Sequence, residues 1–187
     1  AELEPEPLPG GRAVLFVEVR CETPPNARAP RKVFLEAMRD ARRALRASSS
    51  RAASVETSNQ IFNEAVRRCV SDLYMLITRT DHGPYPYGGI PWYSTTFGRD
   101  GIITAIQMLW CDPGIAKGVL TRLAAFQATR TDPFRDAQPG KILHEMRSGE
   151  MAALGEIPFG LYYGSVDSTP LFAHLLSLYV DRTGDMA

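Results

Sequence analysis

The 187-residue chain is 44% hydrophobic and 22% charged, the balance of an ordinary globular protein. Lysine plus arginine equals aspartate plus glutamate at 21 each, which removes the electrostatic case for nucleic acid or an anionic membrane as partner. Cys21, Cys69 and Cys111 are too few and too scattered for a disulfide framework or a Cys-x-x-Cys metal site, and they point to a reducing, cytoplasmic compartment.

The acidic, proline-rich start, Ala1-Glu-Leu-Glu-Pro-Glu-Pro, is no signal peptide, and without an initiator methionine the chain reads as a section of a longer one. No apolar run approaches the ~20 residues of a membrane span. Residues 13–20, rich in β-branched and aromatic types, predict one strand whose partners the chain does not obviously supply. Prolines and Asn26 in 22–30 predict a linker. Apolar residues at Val33, Phe34, Ala37, Met38, Ala41 and Leu45 predict a helix over 30–45, and Ser-rich 47–54 a low-complexity break.

A long helix is predicted over 58–78, capped by Thr57 or Ser58. Its apolar stripe is Ile61, Phe62, Ala65, Val66, Cys69, Val70, Leu73 and Leu76 or Ile77. Cys69 and Cys111 then read as buried thiols rather than nucleophiles. Residues 81–98, dense in Gly, Pro and Tyr, predict no regular element. Asp100 can cap a helix that runs to Trp110 and is buried nearly all round; Asp112-Pro-Gly ends it. A helix over 115–129 follows, then a long loop over 130–165, and a helix from Asp167 or Ser168 with Pro170 in its first turn and Gly184 as its C-cap. Leu171, Phe172, Leu175, Leu176 and Tyr179 form its inner face.

Unstructured loops of this length are uncommon in compact domains and usually functional. The two of greatest interest are Pro91-Trp-Tyr-Ser-Thr-Thr-Phe-Gly-Arg-Asp100 and Tyr163-Gly-Ser-Val-Asp-Ser-Thr-Pro-Leu-Phe172. Each delivers a carboxylate to a helix start with aromatics beside it, the make-up of a sugar pocket. Asp167 has two readings, an N-cap or a general acid, and the second needs an effect that raises its pKa. Arg99 and Asp100 read as a capped, salt-bridged helix start or as a clamp on sugar hydroxyls. Trp92, Tyr93 and Phe97 offer ring faces, and Tyr163 flanks Asp167. His144, Glu145 and Arg147 read as a solvated charge cluster or as the rim of the leaving-group subsite. No metal or cofactor motif occurs.

Thr96-Phe-Gly-Arg-Asp-Gly-Ile-Ile-Thr-Ala105 and Tyr163–Phe172, with Ile142-Leu-His-Glu-Met-Arg147 between them, resemble the bacterial glycogen-debranching, amylo-alpha-1,6-glucosidase-like glycoside hydrolases of the (α/α)6 barrel superfamily. The resemblance covers about residues 58–183. It implies a mainly α fold: 1–29 as the tail of a β-sandwich, 30–57 as a helical linker, and 58–187 as the first part of the barrel. It further implies Asp167 as general acid of an inverting α-glycosidase, and Arg99, Asp100, Trp92 and Tyr93 as ligands of the sugar being cleaved. Glu145 and Arg147 would lie nearer the leaving group, the glutamate base beyond Ala187, and no cofactor would be needed. Val166-Asp-Ser-Thr-Pro departs from the Asp-Ala-x-x-Trp form of debranching enzymes, which leaves the linkage open. The expected partner is an oligo- or polysaccharide, with self-association through apolar helix faces. The rival readings are a non-catalytic carbohydrate-binding or helical scaffold protein, or another barrel enzyme such as a lyase or epimerase with His144 as base.

Overall fold

A computed structural model describes residues 6–8, 12–14, 30–49 and 53–186, and the protein is mainly helical. The chain divides into two compact units, Ala1–Ser50 and Arg51–Ala187.

In the first unit, β1 (Glu6–Leu8) pairs antiparallel with β2 (Arg12–Val14), Glu6 facing Val14. The expected strand therefore has a partner within the chain, six residues upstream; its continuation over 15–20, the 22–29 linker and Cys21 lie outside the described residues. Helix α1 (Pro30–Ser49) runs four residues beyond the expected end. Ala47 is a strong helix former, and no glycine or proline intervenes.

The second unit opens with α2 (Gln60–Leu76). Asn59 caps it, its side chain accepting from the Phe62 N–H at 3.1 Å, in place of Thr57 or Ser58. Thr57 instead clasps Asn63: its N–H and hydroxyl both donate to the Asn63 amide oxygen at 2.9 Å. The apolar stripe of α2 is largely uncovered. Ile61 is 83% and Phe62 50% exposed, and Cys69 is exposed rather than buried. Its buried residues are Asn63 in the first turns and Tyr74 near the C-terminus.

The helix stops where β-branched Ile77 and Thr78 enter β3 (Ile77–Thr80), which turns through Asp81-His82 into β4 (Gly83–Pro86). This hairpin corrects two expectations, a helix to Thr78 and no regular structure from residue 81. Three longer helices follow: α3 (Gly98–Met108), α4 (Pro113–Ala125) and α6 (Ser168–Thr183). Between the last two, the 130–165 segment contains a short antiparallel pair, β5 (Glu145–Met146) with β6 (Leu161–Tyr162), and the one-turn helix α5 (Glu150–Ala153).

The core forms where α3, α4 and α6 meet: Ile102, Ala105, Ile115, Val119, Leu123 and Leu175 are buried there, closed by Tyr85 of β4 and by Ile142 and Leu143. Helix α3 is not buried all round, since Ile103 is 40% exposed; on α6, Leu176 is 45% exposed. Gly184 closes α6 in the left-handed conformation, its N–H bonded to the Val180 carbonyl. Cys111 is buried, and burial pushes its thiol up.

Asp112 is a keystone of this arrangement. One carboxylate oxygen accepts from the Gly114 N–H at 3.0 Å and caps α4; the other accepts from the Tyr74 hydroxyl at 2.9 Å and ties α2 to it. Asp112→Ala removes the cap and the acceptor together, so we expect a loss of about 2 kcal/mol in urea unfolding.

Candidate functional site

The glycines of Gly98-Arg-Asp-Gly101 explain how its charges reach the surface. A Cβ on Gly98 would sit 1.9 Å from the Leu143 carbonyl oxygen, and one on Gly101 2.5 Å from the Tyr85 hydroxyl oxygen. Positions 98 and 101 share the inner face of α3 with Ile102 and Ala105, which leaves Arg99 and Asp100 facing outward. The start of α3 is pinned from both sides: the Gly98 N–H donates to the His144 carbonyl and the Tyr85 hydroxyl to the Phe97 carbonyl, each at 2.8 Å. Burial pushes the Tyr85 hydroxyl far up, so it stays a neutral donor.

Phe97, not Asp100, occupies the N-cap position of α3, without a side-chain cap. Asp100 lies in the first turn, where the helix dipole favours a carboxylate, and is exposed.

At the start of α6, Asp167 occupies the N-cap position but its side chain makes no capping bond. One carboxylate oxygen accepts from the Ser165 hydroxyl, and the other from the Arg99 guanidinium at 3.2 Å. Residues 68 positions apart, from the two loops singled out in the sequence, thus meet at two helix starts. The Ser165 hydrogen bond, and then Arg99, hold the Asp167 carboxyl below the usual carboxylate range against an opposing effect of desolvation. A carboxyl depressed in the fold adds stability above its unfolded pKa and loses it as the pH falls through the folded value. With the side chain 34% exposed, solvent screening keeps that contribution small.

Upstream of α3 the loop 88–93 folds back on itself, with bonds between Gly88 and Tyr93 and between Tyr93 and Gly89. It presents Trp92 and Tyr93, 71% and 57% exposed. Tyr93 lies against Phe97, ring centroids 5.8 Å apart, and the Phe97 backbone bridges to Glu145. Arg147 binds the group together. Its Nε donates to Glu145 at 2.6 Å, its Nη1 to the Trp92 carbonyl, and its guanidinium covers the Phe97 ring. Glu145 and Arg147 are therefore partly buried braces of the aromatic loop and not a solvated cluster. His144 lies between the rings of Phe97 and Tyr162 with its Nδ1 buried and unbonded.

Tyr163 stands apart from the other expected residues. It is 5% exposed, its hydroxyl donates to the Phe126 carbonyl, and it belongs to the core; burial pushes its hydroxyl up. Tyr162, the neighbouring residue of β6, turns the other way and donates to Asp136.

Two residues that pattern reading did not single out, Thr96 and Arg122, help to organise the site. Thr96, fully buried, receives the Arg122 Nε at 2.8 Å, and Arg122 in turn covers the Tyr85 and Phe126 rings. Ser165 holds Asp167. An arginine amid the apolar positions of α4 is the one visible sign of Arg122; nothing in the sequence marks Thr96.

The groove between α4 and α6, walled by Leu120, Phe172, Leu176 and Met186, contains none of the expected site residues. Among the described residues no cluster of His, Cys, Asp and Glu is placed to hold a metal ion, and no helix is long and apolar enough to cross a membrane. No protein-family model matches the chain, and no curated protein matches its sequence.

Proposed function

We propose that this chain supplies the acid half of the active site of an inverting α-glycosidase acting on glycogen- or starch-like oligo- or polysaccharide, on the first hairpins of an (α/α)6 barrel. The observation that carries the reading is the Arg99–Asp167 pair: two accessible, oppositely charged groups from separate helix starts, with exposed Trp92 and Tyr93 on the loop that leads into the first of them. Charged hydrogen-bonding groups next to ring faces suit a pyranose, which is polar at its rim and apolar on its faces.

In this role Arg99 and Asp100 hold the hydroxyls of the sugar being cleaved, and Asp167 protonates the glycosidic oxygen. The ionised Asp167 of the unliganded site cannot donate a proton. Sugar hydroxyls that engage Arg99 would withdraw its charge from Asp167, and a bound sugar would exclude water; both raise the carboxyl. The reaction also needs a carboxylate base about 6.5–9.5 Å from the acid, with a water between them. The resemblance assigns it to a glutamate beyond Ala187. Glucose release from a branched limit dextrin, by the polypeptide that carries these residues and that base, tests the reading; no release from any α-glucan refutes it.

Trp92 tests the aromatic platform separately. At 71% exposure its replacement by alanine leaves folding intact. The lost ring contact should weaken maltooligosaccharide binding about tenfold in calorimetry, the scale of one aromatic contact. Unchanged affinity would remove Trp92 from the site.

The depressed Asp167 carboxyl favours one other reading, a non-catalytic carbohydrate-binding protein in which Asp167 accepts sugar hydroxyls and never transfers a proton. That protein would bind oligosaccharide and retain binding in Asp167→Asn without any hydrolysis.

A further inference from the structure

The hydrogens around Ser165 can be placed from the donor inventory. A carboxylate only accepts, so the Ser165 hydroxyl proton lies on the bond to Asp167. The Ser165 oxygen then accepts twice, from the Ser168 N–H at 3.2 Å and from the Ser168 hydroxyl at 2.9 Å. Ser168 is the first residue of α6 and fully buried, and its hydroxyl lies against Gly98 at the start of α3. Ser165 thereby satisfies an N–H of the first turn, the service that an N-cap side chain normally performs. Asp167, in the cap position, performs none.

We propose that Ser165 is the positioning residue of this site: its hydroxyl caps α6 in place of Asp167 and aims the freed carboxylate at the exposed face beside Arg99. The inference deepens the glycosidase reading and rests on it for its meaning. Its geometry does not depend on any substrate.

The arrangement also accounts for how the carboxylate is kept ionised. Among the described residues Arg99, from α3, is the charged group that acts on Asp167. From its own loop Ser165 supplies the second donor. Neighbouring Thr169 turns its hydroxyl oxygen to the Ile142 N–H, and Ser168 turns to Ser165. With both lone pairs of Ser165 filled, a proton on Asp167 would have no acceptor there. A ligand oxygen in front of the carboxyl would provide one.

The test is a carbon-detected pH titration of the Asp167 carboxyl in the 187-residue chain, in the wild type, Ser165→Ala and Ser165→Thr, with a thermal melt of each and of Asp167→Asn. Ser165→Ala should shift the Asp167 midpoint upward and lower the melting temperature. Ser165→Thr, which keeps the hydroxyl, should restore both, and Asp167→Asn should leave the melt unchanged because its side chain caps nothing. An unmoved Asp167 midpoint in Ser165→Ala overturns the proposal, as does a melt of Asp167→Asn that falls as far as that of Ser165→Ala. Should Ser165→Ala not fold, the Asp167→Asn melt and the Ser165→Thr titration decide: both unchanged supports the proposal, and a change in either overturns it. Neither readout needs sugar or turnover, so a failure of the glycosidase reading stays separate from a failure of this one.

Discussion

Asp167→Asn should reduce glucose release from branched α-glucan by at least about 10²-fold, the size of a lost general acid, while the protein stays folded. The expectation comes from what the side chain does and does not do. Ser165 caps α6, so the amide removes no cap. Under the proposed mechanism it removes the proton that the glycosidic oxygen would receive, and it weakens the attraction of Arg99. The pH profile should separate these effects: with Asp167 as acid, activity falls on the alkaline side as the substrate-bound carboxyl deprotonates. Steady-state rates on limit dextrin across that range check both points. An active Asn variant would leave Asp167 as an Arg99 partner and place the acid elsewhere.

Gly98→Ala should be strongly destabilising. The added Cβ would lie 1.9 Å from the Leu143 oxygen and 3.0 Å from its carbonyl carbon, both backbone atoms that a rotamer change cannot move. To admit it, α3 must lift from the 142–145 segment and release the bond from the Gly98 N–H to His144. Overpacking on this scale costs about 3 kcal/mol or more. Arg99 rides on the same turn, so the meeting with Asp167 would be lost as well. Gly149→Ala serves as the control, since nothing lies within 4 Å of its Cβ position. Urea midpoints of the two variants should differ widely; equal midpoints would mean that α3 does not pack against Leu143 as described.

The helices that build the core were legible because their signals are local. Helix α4 showed in the spacing of Val119, Leu120 and Leu123, although Asp112-Pro-Gly, read only as the end of α3, also caps and opens it; α6 showed in Pro170 at its start and Gly184 at its end. Periodicity reveals an apolar face but not what covers it, and so the stripe of α2 read as core although Ile61 and Phe62 are exposed. The β5–β6 pair has two residues per strand, too few for alternation to register. Tyr163 read as a site residue, yet it is buried and bonded to the Phe126 carbonyl, 37 positions away in the chain.

The site was legible as two loops, and its wiring was not. An aspartate before a helix predicts a cap, and the competing cap from Ser165 depends on the turn conformation of 165–168. Arg99 was expected at a capped, salt-bridged helix start or as part of a clamp on sugar hydroxyls; its meeting with Asp167 crosses 68 residues. The tie from Arg147 to the Trp92 carbonyl is equally non-local.

The most direct test of the central claim is a maltooligosaccharide titration of the 187-residue chain, followed residue by residue through backbone and side-chain NMR shifts. Saturable changes should centre on Arg99, Asp100, Trp92, Tyr93 and Asp167, with the Asp167 carboxyl titrating at higher pH when sugar is bound. Saturable shifts confined to another surface, such as the α4–α6 groove, or no binding at all, would contradict that claim.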